Sequence, residues 1–370
     1  MRLRLERLLA LIKKEFLALL KDPRSRGVII FPPLLQTLMF GYAATFDIKE
    51  VPYVVYNEDH SEASRELLAG FRGSPYFRLV EVADRPGRIA ELLDTEKAVL
   101  AVRIGPNFAR NQERDEGVVQ LIADGRNSNT AALALNYGSA IVQQYNEDRL
   151  DERGLKAPAV IISRSWYNEN LRSRWFFVPG IVAMVTQVVT LLVTALSVAR
   201  EREQGTFDQL LVTPYTPVDL IVGKAVPGFL IGLVEATVIL LAAIFWFEVP
   251  FRGNLLVLYL GLILFLLSAV GVGLMISSLS ATMQQGLLGT FIFLTPAMVL
   301  SGFATPVENM TPFVQSLTVV NPIKYILVII REVFLKGSST QLLVHQLWPL
   351  AVIGTCCLIL AGWLFRRRIY

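Results

Sequence analysis

Residues 255–307 run for 53 positions without one charged side chain. A helix crosses the hydrocarbon of a bilayer with about 20 apolar residues. The run is therefore too long for one crossing, and its polar stretch at 277–285 divides it into two. Four further apolar runs share that scale: 27–46, 176–199, 225–247 (interrupted only by Glu235) and 347–365. The sequence predicts six spans. Composition agrees, with 53% apolar and 18% charged residues, where soluble domains average about 45–50% and about 25%. The two cysteines, Cys356 and Cys357, are adjacent inside the last run, which excludes a disulfide framework and a zinc site.

Orientation follows from Lys and Arg near the spans. The first 26 residues hold eight of them against three acids, and Arg366, Arg367 and Arg368 close the chain. Six spans put both termini on one side, and both termini are basic, so that side is the cytoplasm. The 27–46 run exceeds a signal-peptide core and lacks a cleavage site, so it reads as an uncleaved first span. Before it, Leu5, Leu8, Leu9, Ile12, Phe16, Leu19 and Leu20 recur at helical spacing, with basic residues between them. Residues 1–26 thus read as an amphipathic helix lying in the cytoplasmic interface.

Residues 47–174 carry 17 Lys and Arg against 20 Asp and Glu, in keeping with an outside location. β-Branched and aromatic runs at 51–56, 77–82, 98–104 and 118–123 alternate with helical stretches near 64–71, 88–93 and 129–153. The reading is an inserted α+β extracytoplasmic domain over 47–175. Its histidine, His60, lies beside Glu58 and Asp59, a solvated turn rather than a metal site. Residues 176–370 form a five-helix transmembrane region with an outer re-entrant segment at 303–346. There Asn321 and Pro322 start an apolar helix that carries Arg331, and Gly337 ends it.

The segment between the second and third spans, residues 200–214, carries the most chemical information. Gly205 ends the preceding helix. Thr206 followed by Gln209 has the spacing of a capping box, and Pro214 limits the new helix to about two turns. Phe207, Leu210 and Leu211 give it one apolar face. A short capped helix with an exposed apolar face suits a groove on another protein, and an ordinary amphipathic turn fits the same residues.

Here a resemblance becomes specific. The run from Glu201 through Arg202, Glu203, Gln204, Gly205 and Thr206, followed by Leu210, Leu211, Thr213 and Pro214, resembles the coupling loop of ABC-type exporter permeases of the type-2 class. Three outer segments resemble the multidrug-export branch of that family: Asn57 to Ser61, Ile104 to Phe108 and Asp124 to Asn127. So do Asn321-Pro322, Arg331 and Phe334-Leu335. The likeness spans nearly the whole chain in order. Asp208 departs from it, standing where the family commonly has Glu, which keeps the charge and shortens the reach. The resemblance implies six spans per chain, a second permease chain (identical or paralogous), separate ABC ATPase subunits and drug-like or amphipathic substrates. A periplasmic adaptor is a further partner to test for, and no nucleic acid is expected.

This chain is not itself the motor. A phosphate-cradling loop needs Gly-x-x-x-x-Gly-Lys-Ser/Thr, whereas Gly223-Lys224 is followed by Ala225 and has Val218 in place of the first glycine. The chain is therefore expected to be no enzyme and to bind no cofactor, with ATP and magnesium on the partner ATPase. Two rows of small residues, Gly228/Gly232/Ala236 and Ala269/Gly273/Ser277, permit close helix approach in lipid; static packing is the plainer reading and a sliding interface the sharper one. Glu235 in mid-span costs about 2.5–3.5 kcal/mol when charged. Structural pairing is favoured for it over a pathway role, and Gln36 and Gln187 share the ambiguity. The rivals are an ion-coupled secondary transporter, in which Glu235 would couple, and a membrane-anchored sensor or scaffold.

Overall fold

The computed structural model describes residues 2–43, 50–114, 116–155, 166–168, 172–207, 215–303 and 305–369. Its contacts divide the chain into two compact units, Thr45–Arg164 and the remainder, Met1–Ala44 with Ser165–Tyr370.

The smaller unit contains β1 (Val51–Asn57), α3 (Glu62–Gly73), β2 (Phe77–Val82), α4 (Pro86–Asp94), β3 (Leu100–Ile104), α5 (Phe108–Gln112), β4 (Val119–Ala123) and α6 (Ser128–Glu152). The strands make a mixed sheet in the order β2-β1-β3-β4. β1 is parallel to both neighbours, and β4 is antiparallel to β3. Side chains alternate between faces along a strand, and the core follows that rule. Val51, Tyr53 and Val55 pack with α3 and α6, whereas Val54 and Ala101 pack with Ile89 and Leu92 of α4. Ser61 caps α3 by accepting from the Ser64 amide, and Asn127 caps α6 by accepting from that of Thr130. The short α5 is the one element the strand and helix patterns did not announce.

The larger unit begins with α1 (Arg2–Lys21) and α2 (Pro23–Ala43). It continues with α7 (Ser173–Glu203) and α8 (Pro217–Leu241), the latter extended by a π-helical turn at Ala242–Trp246. Then come α9 (Leu255–Leu279), α10 (Met283–Val299), α11 (Pro312–Leu317), α12 (Pro322–Arg331) and α13 (Thr340–Ile369). The 53-residue run breaks where its polar stretch predicts: α9 ends at Leu279, and Thr282 caps α10 by accepting from the Gln285 amide.

Four helices have the length and hydropathy to cross a membrane: α7, α8 with its π turn, α9 and α13. The pair Pro312–Val320 and Pro322–Lys336, bent by 84°, makes a fifth if it counts as one span. Of the two other expected spans, α2 carries the apolar stretch Ile29–Tyr42, and α10 is the shorter helix, 17 residues at Met283–Val299. Counting uncharged residues overstates the length of α10. After α10 the chain turns at Ser301, whose hydroxyl donates to Met298, and at Gly302, whose φ is +81°.

α7 is the central helix, with 83% of its most apolar window buried. Both small-residue rows close on it. A Cβ added at Gly228 or Gly273 would overlap Thr194, and one at Gly232 would overlap Thr190. Ser277 completes the second row by accepting from the amides of Val198 and Ala199, at 2.9 and 3.3 Å. On its other side α9 meets α13 closely, since a Cβ at Gly271 would lie 2.8–2.9 Å from the Cys357 carbonyl carbon and the Leu358 nitrogen. α1 departs from a helix lying only on lipid. Leu11, Glu15 and Leu19, spaced by four, are buried, while Leu5, Leu9, Leu17 and Leu20 stay exposed.

Candidate functional site: a charge cluster and the segment it anchors

The buried stripe of α1 brings Glu15 against the end of α7 and the start of α8. Lys224 of α8, with a side chain 1% exposed, bonds Glu15 at 3.2 Å and also Glu201 of α7. Lys14 bonds the same two carboxylates, Glu15 at 3.1 Å and Glu201. The Ser197 hydroxyl adds a weak bond to Glu15 at 3.4 Å. Two lysines and two glutamates therefore neutralise one another: Lys224 and both carboxylates are buried, where charges must be paired, and Lys14 reaches them from a half-exposed position. Burial alone would push the Glu15 carboxyl up, but Lys224 and Lys14 outweigh it and hold Glu15 below its usual range. Lys14 mirrors this. Burial would lower it, yet its bonds and charge attraction to Glu201 and Glu15 leave it raised.

Glu201 stands just before the 200–214 segment turns. Its carbonyl accepts from the Thr206 amide at 3.0 Å and from the Thr206 hydroxyl at 3.4 Å. Gly205 makes the turn with φ at +68°, a conformation that favours glycine. Arg202 donates to the carbonyls of Ser278 and Ser280 at 2.8 and 3.2 Å, tying the turn to the end of α9. Glu203 accepts from the Met283 amide at 2.6 Å, at the first turn of α10. On the far side, Thr216 and Asp219 form a reciprocal capping box that starts α8, with Pro217 in its first turn. The Tyr215 hydroxyl reaches the Arg7 carbonyl of α1 at 3.4 Å.

Three sequence expectations change here. Phe207 is no part of an exposed docking face. It is 7% exposed and packs with Leu11, Val198, Leu220 and Phe365, and the Arg202 guanidinium lies 4.9 Å from its ring centre. Glu201 does not stand free at a rim, since its side chain is 8% exposed and its carboxylate bonds both lysines. Pairing also fails for Glu235, whose two carboxylate oxygens have no hydrogen-bond partner among the described residues. Asp208, Leu210, Leu211 and Pro214, together with Gln209 of the expected capping box, lie outside the described residues. Lys14, Glu15 and Lys224 were missed, although Lys224 was visible as a lone cation at the mouth of an apolar run.

The remaining predicted residues fall elsewhere in the unit. Gln187 is fully buried on α7, and among the described residues neither end of its amide has a partner, nor have the neighbouring Thr186 and Thr190 hydroxyls. Gln36 is half-buried on α2. Asn321 caps α12 by accepting from the Ile323 amide at 3.1 Å, and donates to the Ala297 carbonyl at 2.7 Å. Pro322 takes the first helical position, as expected. Arg331 sets its guanidinium 3.9 Å from the centre of the Phe176 ring, and its Nε and one terminal nitrogen lack hydrogen-bond partners among the described residues.

A multi-pass helical unit, with a neutralised cluster anchoring one interhelical segment and no phosphate-binding motif, has the build of a transport subunit driven from outside itself. Residues 27–363 match the ABC-2 family transporter protein family. The chain is 41% identical over 364 residues to the probable multidrug ABC transporter permease YbhR of Escherichia coli K12, covering 98% of this chain and 99% of that one. It is 31% identical over 346 residues to the probable multidrug ABC transporter permease YbhS of the same strain, covering 91% of each. With the linearmycin resistance permease protein LnrN of Bacillus subtilis it shares 20% identity over 389 residues, 96% of each chain. The chain belongs to the ABC-2 family. It is the transmembrane permease subunit of an ABC exporter, a transport subunit and not an enzyme, and its family works with ABC ATPase subunits carried on separate chains.

Proposed function

We propose that this permease moves a drug-like or amphipathic substrate out of the cytoplasm or inner leaflet of a bacterial inner membrane. The names of its relatives, two probable multidrug permeases and a linearmycin resistance permease, support that substrate class. In this reading the chain crosses six times, on α2, α7, α8, α9, α10 and α13, with both termini in the cytoplasm. The basic ends support it, and so does a helix in each of the six apolar runs. The 47–175 domain then lies outside, where it would meet a periplasmic adaptor. A second permease chain completes the pathway, and ATP and magnesium stay on the ATPase.

The anchoring of segment 200–214 carries the mechanism. Phe207 holds its entry and the Thr216 capping box starts its exit, while the neutral cluster joins α1, α7 and α8 beside it. A push on residues 208–214 from a bound ATPase is then passed to three helices at once. Leu210 and Leu211 make the apolar contact with the ATPase, and Asp208 and Pro214 shape its edge. Losing one buried anchor of such a contact costs more than about 2 kcal/mol. Leu210→Asp is therefore expected to insert normally and to release the ATPase in a pull-down. Undiminished capture by the inserted variant would remove this segment from the interface. Cysteine labelling checks the topology, with position 100 reached from outside and positions 208 and 370 from the cytosol.

A further inference from the structure

Between α2 and α8, with α1 at one end, lies a groove of about 920 Å³. Its walls are apolar, from Ile30, Leu34 and Leu38 on α2 and from Val234 and Val238 on α8. Phe16 of α1 closes one end, and Trp246 and Phe247 stand at the other, where the Trp246 indole donates to the Tyr42 hydroxyl at 2.7 Å. Two polar groups interrupt the apolar lining. One is Glu235, 9% exposed, and the other is Thr37, 8% exposed; neither the carboxylate oxygens nor the hydroxyl has a hydrogen-bond partner among the described residues. No Lys, Arg or His is among the described lining residues.

A buried carboxylate is kept only where something compensates it, and an acid inside a membrane span marks a functional position by default. Here the described lining residues supply no cation, whereas about three turns earlier on α8 Lys224 joins a cluster of two lysines and two glutamates. The complement of an apolar groove with one bare carboxylate is a molecule with an apolar body and one positive charge. The aromatic end suits the same partner, because a ring face attracts cations. The volume is within the 300–1,000 Å³ that small-molecule sites commonly span. We infer that this groove binds amphipathic organic cations, with Glu235 as the charge-recognising residue and Thr37 as a second polar contact. The inference deepens the export reading by giving the substrate a charge and a place on a single chain.

The test uses the purified full chain in phospholipid nanodiscs, without ATPase or ATP, so it is independent of coupling and transport. Tetraphenylphosphonium is the probe, and tetraphenylborate, of the same shape and opposite charge, is measured separately, each against empty discs. Saturable phosphonium binding is expected. Glu235→Gln should weaken it by about tenfold or more, because the probe carries no hydrogen-bond donor and is held by the charge of the carboxylate alone, in a site with little solvent to screen it. Val238→Trp, which fills the groove from an exposed wall position, should abolish it, and the borate should not saturate. Phosphonium binding that survives either substitution within twofold overturns the assignment. So does equal saturable binding of the borate, which would make the groove a seat for lipid chains. A failure here leaves the export reading standing, and a failed ATPase pull-down leaves the groove standing.

Discussion

Lys224→Met tests the charge cluster most directly. The side chains of Lys224 and Glu201 are 1% and 8% exposed, so solvent does little to screen the loss. Removing one partner of a buried pair typically costs about 3–5 kcal/mol. Lys14 remains on both carboxylates, but its side chain is 49% exposed, and an ion pair at such a position returns no more than about 1 kcal/mol. The expected net loss is about 2–4 kcal/mol. By the scaling of domains of about 150–250 residues, that lowers Tm by roughly 5–15 °C. Adding Glu201→Met leaves Lys14 and Glu15 as a balanced pair, and apolar replacement of both members of a buried pair is often neutral. Thermal unfolding of the purified chain, followed by tryptophan fluorescence, should therefore show the double variant recovering most of the single variant's loss. If the two losses simply add, the four charges do not act as one cluster and the reasoning fails.

Other outcomes follow from the same contacts. Gly271→Ala places a methyl against the α13 backbone at Cys357 and Leu358 and is expected to cost about 1–3 kcal/mol as overpacking; an unchanged Tm would mean that the helices separate freely there. Asn321→Ala loses the α12 cap, worth about 1 kcal/mol, and leaves the Ala297 carbonyl unsatisfied, worth about 1–3 kcal/mol more, so faster hydrogen exchange is expected over Pro322–Arg331 than over α7. The pH profile of stability has two edges. Glu15 is held below its ordinary 4.5, so its contribution is complete above that value and fades as pH falls through the lowered one. Lys14 is raised above its ordinary 10.5, so its share is complete below that value and fades as pH rises past it. Urea titrations across pH should show a plateau between those values that narrows or tilts in Lys224→Met, and an identical profile in the variant would count against the cluster.

Much of this was legible before any coordinates, because lipid imposes strict length and polarity rules on a chain. The break near 280, the start of α12 at Asn321-Pro322 and the turn at Gly205 were each readable from local chemistry. So were the four strands, which alternate between two packed faces. The charge cluster was not, since its members are 14, 15, 201 and 224 in sequence and only packing brings them together. Lys224 enters the sequence analysis only as the lysine of a phosphate-loop motif that fails, which says nothing of the carboxylates it meets. Phe207 misled for a related reason: periodicity says which residues share a face, but not whether the chain's own neighbours already cover that face.

The glycines and small residues that seat α8 and α9 on Thr190 and Thr194 have a mechanical consequence. Glycines resting directly on short threonine side chains leave little cushion to shear, so α7, α8 and α9 form a stiff spine, with α13 fastened to it at Gly271. The lysine–glutamate cluster bolts α1 to the same spine. In the reading proposed for segment 200–214, a push applied there has little way to dissipate inside that block and emerges at its margins, among them the seam between α2 and α8. A bridge of engineered cysteines within the spine should leave transport intact, whereas one stitched across the α2–α8 seam should arrest it.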